Sequence, residues 1–221
     1  MGKLQTVFKF NIRNEWLDMK QAASNFTAIN PSQLSFRPPK TIVLVGLMGA
    51  GKTSIGRRLA KRLDVDFFDS DHEVELAAGC PIKDIFNVYG EEAFRSGEYR
   101  VISRLLDQSV HVLATGGGSF MNDKSREAIK SKAISVWLKA DLDTLVARVS
   151  RRTDRPFLED AANHRETLEQ LIKERDPVYS KADVVVETLD EPTNATVDRV
   201  ILALANFIRD QYPTEYVLKT I

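Results

Sequence analysis

The sequence predicts an α/β fold of three layers, in which a central parallel sheet of five strands lies between helices and carries a mobile lid. Two observations support this. From Thr41 onward, five short apolar runs alternate with segments patterned for helix, as βαβ units do: Thr41 to Val45, Phe67-Phe68, Val110 to Ala114, Ile134 to Leu138 and Val184 to Val186. The first three runs each end in a small polar cluster: Gly46-Leu47-Met48-Gly49-Ala50-Gly51-Lys52-Thr53, then Asp69-Ser70-Asp71, then Thr115-Gly116-Gly117-Gly118. Ligands of open parallel sheets collect outside the carboxyl ends of the strands, so three such endings imply one shared site.

Residues 1–38 form an appendage of mixed character that runs into Arg37-Pro38-Pro39, which disfavours helix and suits an extended linker. The domain proper is expected over 39–210, with a tail at 211–221. Ile55, Leu59 and Leu63 recur every four residues and give the helix after the Gly-rich loop one apolar stripe for the sheet. A second helix starts near Asp71 and stops at Gly79, with Pro81 just beyond. A short third helix covers Ile82 to Val88, and Gly90 separates it from a fourth whose buried face carries Phe94, Val101, Ile102 and Leu105. Leu142, Leu145 and Val149 mark the helix after the fourth strand. Over residues 151–164 the apolar periodicity lapses into charges around an Arg-Pro pair, which makes this stretch the lid candidate. A helix from Glu166 to Arg175 is expected to end at Pro177, and the last strand leads to a helix with Val197, Ile201, Leu204 and Ile208 in register.

Lys+Arg and Asp+Glu balance at 31 each, so no long-range field draws the chain to nucleic acid or to an anionic membrane, and neither is expected as a partner. A lone Cys80 cannot close an internal disulfide, and the three histidines lack zinc-ligand spacing. His72, His111, His164 and Cys80 are expected to pack or to lie on the surface. With no secretory signal pattern and no spanning apolar run, a cytoplasmic protein is expected. A monomer is expected as well.

The octapeptide from Gly46 fits G-x-x-x-x-G-K-[ST] between a strand and a helix, the context in which a phosphate loop works. Gly49 and Gly51 let backbone N–H groups wrap phosphates, and Ala50 and Ser54 belong to the same binding segment. Lys52 offers charge to the β and γ positions of a bound nucleotide, and Thr53 offers a hydroxyl to Mg²⁺. A right-handed crossover sets Asp69 and Asp71 beside the phosphates, and strand alternation points both carboxylates into one site if the extended geometry persists through Ser70. Asp71 also suits the N-cap of a helix from His72. Arg95 stands four and three residues from Glu91 and Glu92, a spacing that suits a helix-face pair, and Arg175 suits a helix C-terminus. The three glycines suit either a flexible turn or a close approach of backbone to ligand.

Taken with the E-E-A-F-R run ending at Arg95, the Arg155-Pro156 pair and the run from Glu174 to Tyr179, these clusters occur in an order and spacing that resemble shikimate kinase, one of the nucleoside-monophosphate-kinase-like P-loop proteins, from about residue 40 to 208. The resemblance implies ATP-dependent phosphorylation of the 3-hydroxyl of shikimate, a step toward chorismate and the aromatic amino acids. It implies that Asp69 helps hold Mg²⁺ through water and that Asp71 contacts the attacking hydroxyl. Arg95 and Arg175 would hold the shikimate carboxylate, and the backbone of Gly116, Gly117 and Gly118 would line the ring. Arg155 would come from the lid, and Arg148 and the loop containing Pro192 would contact adenine. Lys52, Asp71 and Arg155 are then the catalytic set. Phe157 stands where the family usually has leucine, and residues 1–38 have no family counterpart. A related small-molecule kinase, such as one acting on gluconate, and a nucleotide-binding module without catalysis are the alternatives.

Overall fold

The computed structural model describes residues 34–150, 164–212 and 219–220. Residues 1–33 of the appendage and residues 151–163, which hold Arg155 and Phe157, lie outside them. The strands are β1 (Leu34–Ser35), β2 (Thr41–Val45), β3 (Asp66–Asp69), β4 (His111–Ala114), β5 (Ala133–Ala140), β6 (Val184–Thr188) and β7 (Lys219–Thr220). The helices are α1 (Lys52–Leu63), α2 (Ser70–Ala78), α3 (Ile82–Leu106), α4 (Asp123–Lys132), α5 (Leu142–Ser150), α6 (His164–Tyr179) and α7 (Thr193–Gln211).

Five strands pair in parallel, as the alternating pattern predicts; their order is β3-β4-β2-β5-β6, and β1 and β7 pair antiparallel apart from them. All five residues of β2 are buried, as a central strand with covered faces requires. The helices flank the sheet: α1 packs on β4 and α7, α7 on β6, and α4 on β5. The predicted stripes are the buried ones, Ile55, Leu59 and Leu63 on α1 and Val197, Ile201, Leu204 and Ile208 on α7. Arg58 and Arg62 of α1 bond Asn194 and Asp198 of α7, each at 2.7 Å. Because β4 and β5 lie on opposite sides of β2, the chain order reverses there, and the crevice opens at the carboxyl end of β2.

Two local expectations change, and one between them holds. First, the extended geometry ends at Asp69 and α2 begins at Ser70, so the alternation argument for the two aspartates stops one residue early. Asp69 is the N-cap, its carboxylate accepting from the Asp71 N–H, and Asp71 sits in the first turn instead of capping. Second, α3 runs from Ile82 to Leu106 with an internal break at Gly90, whose φ of 79° and ψ of 175° are not helical. The boundary predicted at Gly90 is therefore present, as two helical segments that meet at a sharp break. Third, α6 passes through Pro177 and ends at Tyr179. Proline removes one helical hydrogen bond near the end of the helix, and the fully buried Tyr179 side chain holds the last turn in place.

His111 is buried at the start of β4, with Nδ1 2.8 Å from the Ser109 carbonyl oxygen and its ring edge-on to Phe68. Burial pushes its imidazole below the usual histidine range. No helix among the described residues is long and apolar enough to cross a membrane.

Candidate active site

The chain leaves β2 through Gly46 and reaches α1 at Lys52. Gly46, Gly49 and Gly51 stand at φ 135°, 85° and 92°, conformations that side chains rarely adopt. Gly51 is the N-cap of α1, with no side-chain cap bond, so the first N–H groups of the helix are left for an anion. Lys52 Nζ donates to the carbonyl oxygens of Gly46 and Leu47 at 2.8 and 3.0 Å, which draws the ammonium back over the loop. Ala50 is buried and donates its N–H to Leu47, so it builds the turn.

The Thr53 hydroxyl donates to Asp69 Oδ2 at 2.8 Å, joining the first turn of α1 to the end of β3. The two residues face a cavity of about 350 Å³ that Gly49, Gly51, Lys52, Ser54, Asp71, Gly116, Gly117 and Arg148 also line. Asp190, Glu191 and Thr193, just before and at the start of α7, line it as well. Pro192 is the N-cap of α7 and is not among the lining residues, although its two neighbours are. Arg148 Nη1 lies 3.5 Å from the Gly49 carbonyl oxygen and 3.5 Å from the Thr188 hydroxyl, and Nη2 donates to the Leu189 carbonyl. Burial works to raise the Glu191 carboxyl, but hydrogen bonds from Arg199 and Thr196 outweigh it and hold the group below its ordinary range.

At the end of β4 the three glycines make room. Gly118 has an ordinary φ of −97°. A Cβ on Gly116 would stand 2.6 Å from Asp71 Oδ1 and 3.0 Å from Glu98 Oε1, and a Cβ on Gly118 would stand 2.5 Å from Arg95 Nη2. Three of the chain's own side chains, Asp71, Glu98 and Arg95, therefore already lie close against these two glycines. Ser70, the middle residue of the aspartate cluster, is buried and accepts the Gly116 N–H at 3.1 Å. Arg175 Nη1 donates to the Gly117 carbonyl at 3.0 Å, so Arg175 serves this turn instead of a helix C-terminus.

Arg95 does make its helix-face pair. Nε and Nη2 each lie 3.3 Å from Glu91 Oε1, and the second carboxylate is Glu98, at 2.9 Å from Nη1, not Glu92. Glu98 has 1 % of its side chain exposed and also accepts from the Ser119 hydroxyl at 2.6 Å. Neither Glu98 nor Ser70 is singled out by the sequence. The only available signal for Glu98 was its three-residue spacing from Arg95.

The fold therefore brings Lys52, Thr53, Asp69, Asp71, Gly116, Gly117 and Arg148 around one cavity, and it sets Gly118, Arg95 and Arg175 along the same glycine turn. Arg155 lies outside the described residues. No cluster of three or more His, Cys, Asp or Glu suited to a metal occurs among the described residues. A hydroxyl backed by one carboxylate suits a hard cation that takes its remaining ligands from phosphate and water, as Mg²⁺ does. Such an arrangement can hold a nucleotide triphosphate and present a carboxylate to an acceptor beside it.

A family model described as shikimate kinase matches residues 48–205. A shikimate kinase of Paramagnetospirillum magneticum is 51 % identical over 175 residues, which are 79 % of this chain and 89 % of that one. The shikimate kinase from Acinetobacter baumannii, solved in complex with shikimate, superposes with a TM-score of 0.71 at 38 % identity and covers 76 % of this chain and 94 % of its own. A gluconokinase from Sinorhizobium meliloti, at 22 % identity and a TM-score of 0.58 over 81 % of this chain and 99 % of its own, shares the fold alone.

Proposed function

This chain belongs to the shikimate kinase family, and from that premise we infer that it transfers the γ-phosphoryl group of ATP to the 3-hydroxyl of shikimate. The products are shikimate 3-phosphate and ADP, on the route to chorismate and the aromatic amino acids. One observation carries the residue roles: Asp71 touches the glycine turn on the same cavity that Lys52 and the Thr53–Asp69 pair line.

The phosphate loop, Gly49 to Ser54, holds the triphosphate through backbone N–H groups and the N-terminus of α1. Lys52 exchanges its carbonyl partners for phosphate oxygens. Thr53 and Asp69 would hold Mg²⁺, which would supply positive charge to offset that of the phosphates. Asp71 orients the acceptor hydroxyl and takes its proton as the new phosphate ester forms. Arg95 and Arg175 bind the acceptor carboxylate with planar forks that make parallel charge-assisted bonds. The backbone of Gly116 to Gly118 lines the acceptor ring. Arg155 comes from a lid at 151–164 of a kinase domain spanning 39–210, and Arg148 and the loop around Pro192 contact adenine. The enzyme works as a cytoplasmic monomer in this reading.

The test is ADP release from ATP with shikimate or gluconate as acceptor. Turnover with shikimate and none with gluconate is expected. ATP binding without turnover of either acid overturns the catalytic reading.

A further inference from the structure

We propose that Tyr179 is a positioning residue for the acceptor turn: its hydroxyl, with Arg175, holds the Gly117 carbonyl toward α6 and so sets the direction in which the turn presents its backbone. The proposal rests on the reading that this turn lines the acceptor. The Tyr179 ring is fully buried, with ring centroids of Phe120 at 6.4 Å and Trp137 at 5.9 Å. Packing of that kind is served equally well by phenylalanine. The hydroxyl does something more, because it donates to the Gly117 carbonyl oxygen, which also accepts from Arg175 Nη1 at 3.0 Å. Two donors saturate the two lone pairs of one carbonyl. Burial pushes the phenol up to about 12, so it stays a donor throughout the working pH range.

The consequence follows from peptide geometry. Across a planar trans peptide the Gly118 N–H is antiparallel to the Gly117 carbonyl, so fixing the carbonyl toward α6 turns that N–H the other way. Glycine has more conformational freedom than other residues, and the turn's own backbone bonds, from the Ser119 N–H to Gly116 and from the Met121 N–H to Gly118, leave the Gly117 carbonyl to outside contacts. On the β4 side the Ser70 hydroxyl holds the Gly116 N–H. On the α6 side Tyr179 and Arg175 share the task. Arg175 is also the proposed carboxylate ligand and must adjust to the acceptor, which leaves the buried tyrosine as the fixed member of the pair.

The test compares full-length Y179F with the wild-type chain. Amide exchange over residues 116–121 without acceptor should quicken roughly fivefold, the scale of one lost hydrogen bond, while exchange in β2 stays unchanged. In steady-state kinetics the shikimate KM should rise by a similar factor, roughly fivefold, while kcat and the KM for ATP change less than about twofold. Unchanged exchange at the turn overturns the proposal. So does a uniform loss of kcat with an unchanged shikimate KM. A Y179F chain that loses its fold overturns it as well, because the hydroxyl would then hold the core and not the turn. Wild-type protein that fails to turn over shikimate defeats the functional reading separately, and the exchange measurement still decides the role of Tyr179.

Discussion

In the phosphate loop Gly46, Gly49 and Gly51 stand at φ of 135°, 85° and 92°, whereas in the glycine turn after β4 Gly118 takes −97° and glycine is needed because Asp71 and Arg95 occupy the space of a Cβ. The first turn needs glycine for backbone conformation, and the second needs it for room. Conformation is a local demand, satisfied within eight consecutive residues. Room is a tertiary demand, set by side chains that reach the turn from α2 and α3.

The largest effect should come where both demands meet. Gly46 combines φ 135° with a Cβ position 2.6 Å from the Leu138 carbonyl oxygen, and main chain cannot move aside cheaply. Gly46→Ala is expected to cost about 3 kcal/mol of stability, read from denaturant melts. A melt within error of the wild type would remove the conformational account. Gly118→Ala should act differently, because what stands in its way is the end of the Arg95 side chain, held by Glu91 and Glu98, and not main chain. The shikimate KM should rise about tenfold, as one charge-assisted bond of Arg95 is misplaced, with a smaller loss of melting temperature than in Gly46→Ala. If stability falls as much as with Gly46→Ala, the two turns do not differ in kind.

Smaller effects refine the contrast at the nucleotide side. Thr53→Val keeps the shape of the loop and removes the hydroxyl bonded to Asp69. The Mg²⁺ concentration for half-maximal turnover should rise roughly fivefold while the shikimate KM holds. An unchanged Mg²⁺ requirement would take Thr53 out of the metal site. The smallest effect lies away from both turns, at His111. Its folded pKa is depressed from 6.5 by burial, so the unfolded chain takes up the proton first as pH falls. The contribution of the neutral ring to stability is complete above pH 6.5 and is lost as the pH falls through the folded value. Thermal melts between pH 7.5 and 5 should therefore show a decline that His111→Gln flattens.

Much of the fold is legible because periodicity is local. The stripes of α1 and α7, the five parallel strands and the stop at Gly79 follow from spacing and punctuation alone. The path of α6 through Pro177 is not legible, since the residue that holds its last turn, Tyr179, gains its partners from β5 and the segment between β4 and β5. The phosphate loop is readable as a motif with its chemistry. At the glycine turn after β4 the sequence indicates candidate residues, but not the contacts among them. Asp69 and not Asp71 caps α2, Ser70 ties the aspartate cluster to Gly116, and Glu98 braces Arg95. Each of these bonds depends on where another element comes to rest.

The buried carboxylate of Glu98 decides how Arg95 must be interrogated. It is shared between the guanidinium and the Ser119 hydroxyl, with 1 % of its side chain exposed. Truncating Arg95 to alanine strands an anion in the interior, so weaker substrate capture and a weakened helix would arrive together in one number. A cycle pairing Arg95→Gln with Glu98→Gln removes both charges at once, and the coupling energy it yields separates recognition of the acceptor from the upkeep of the protein's own architecture.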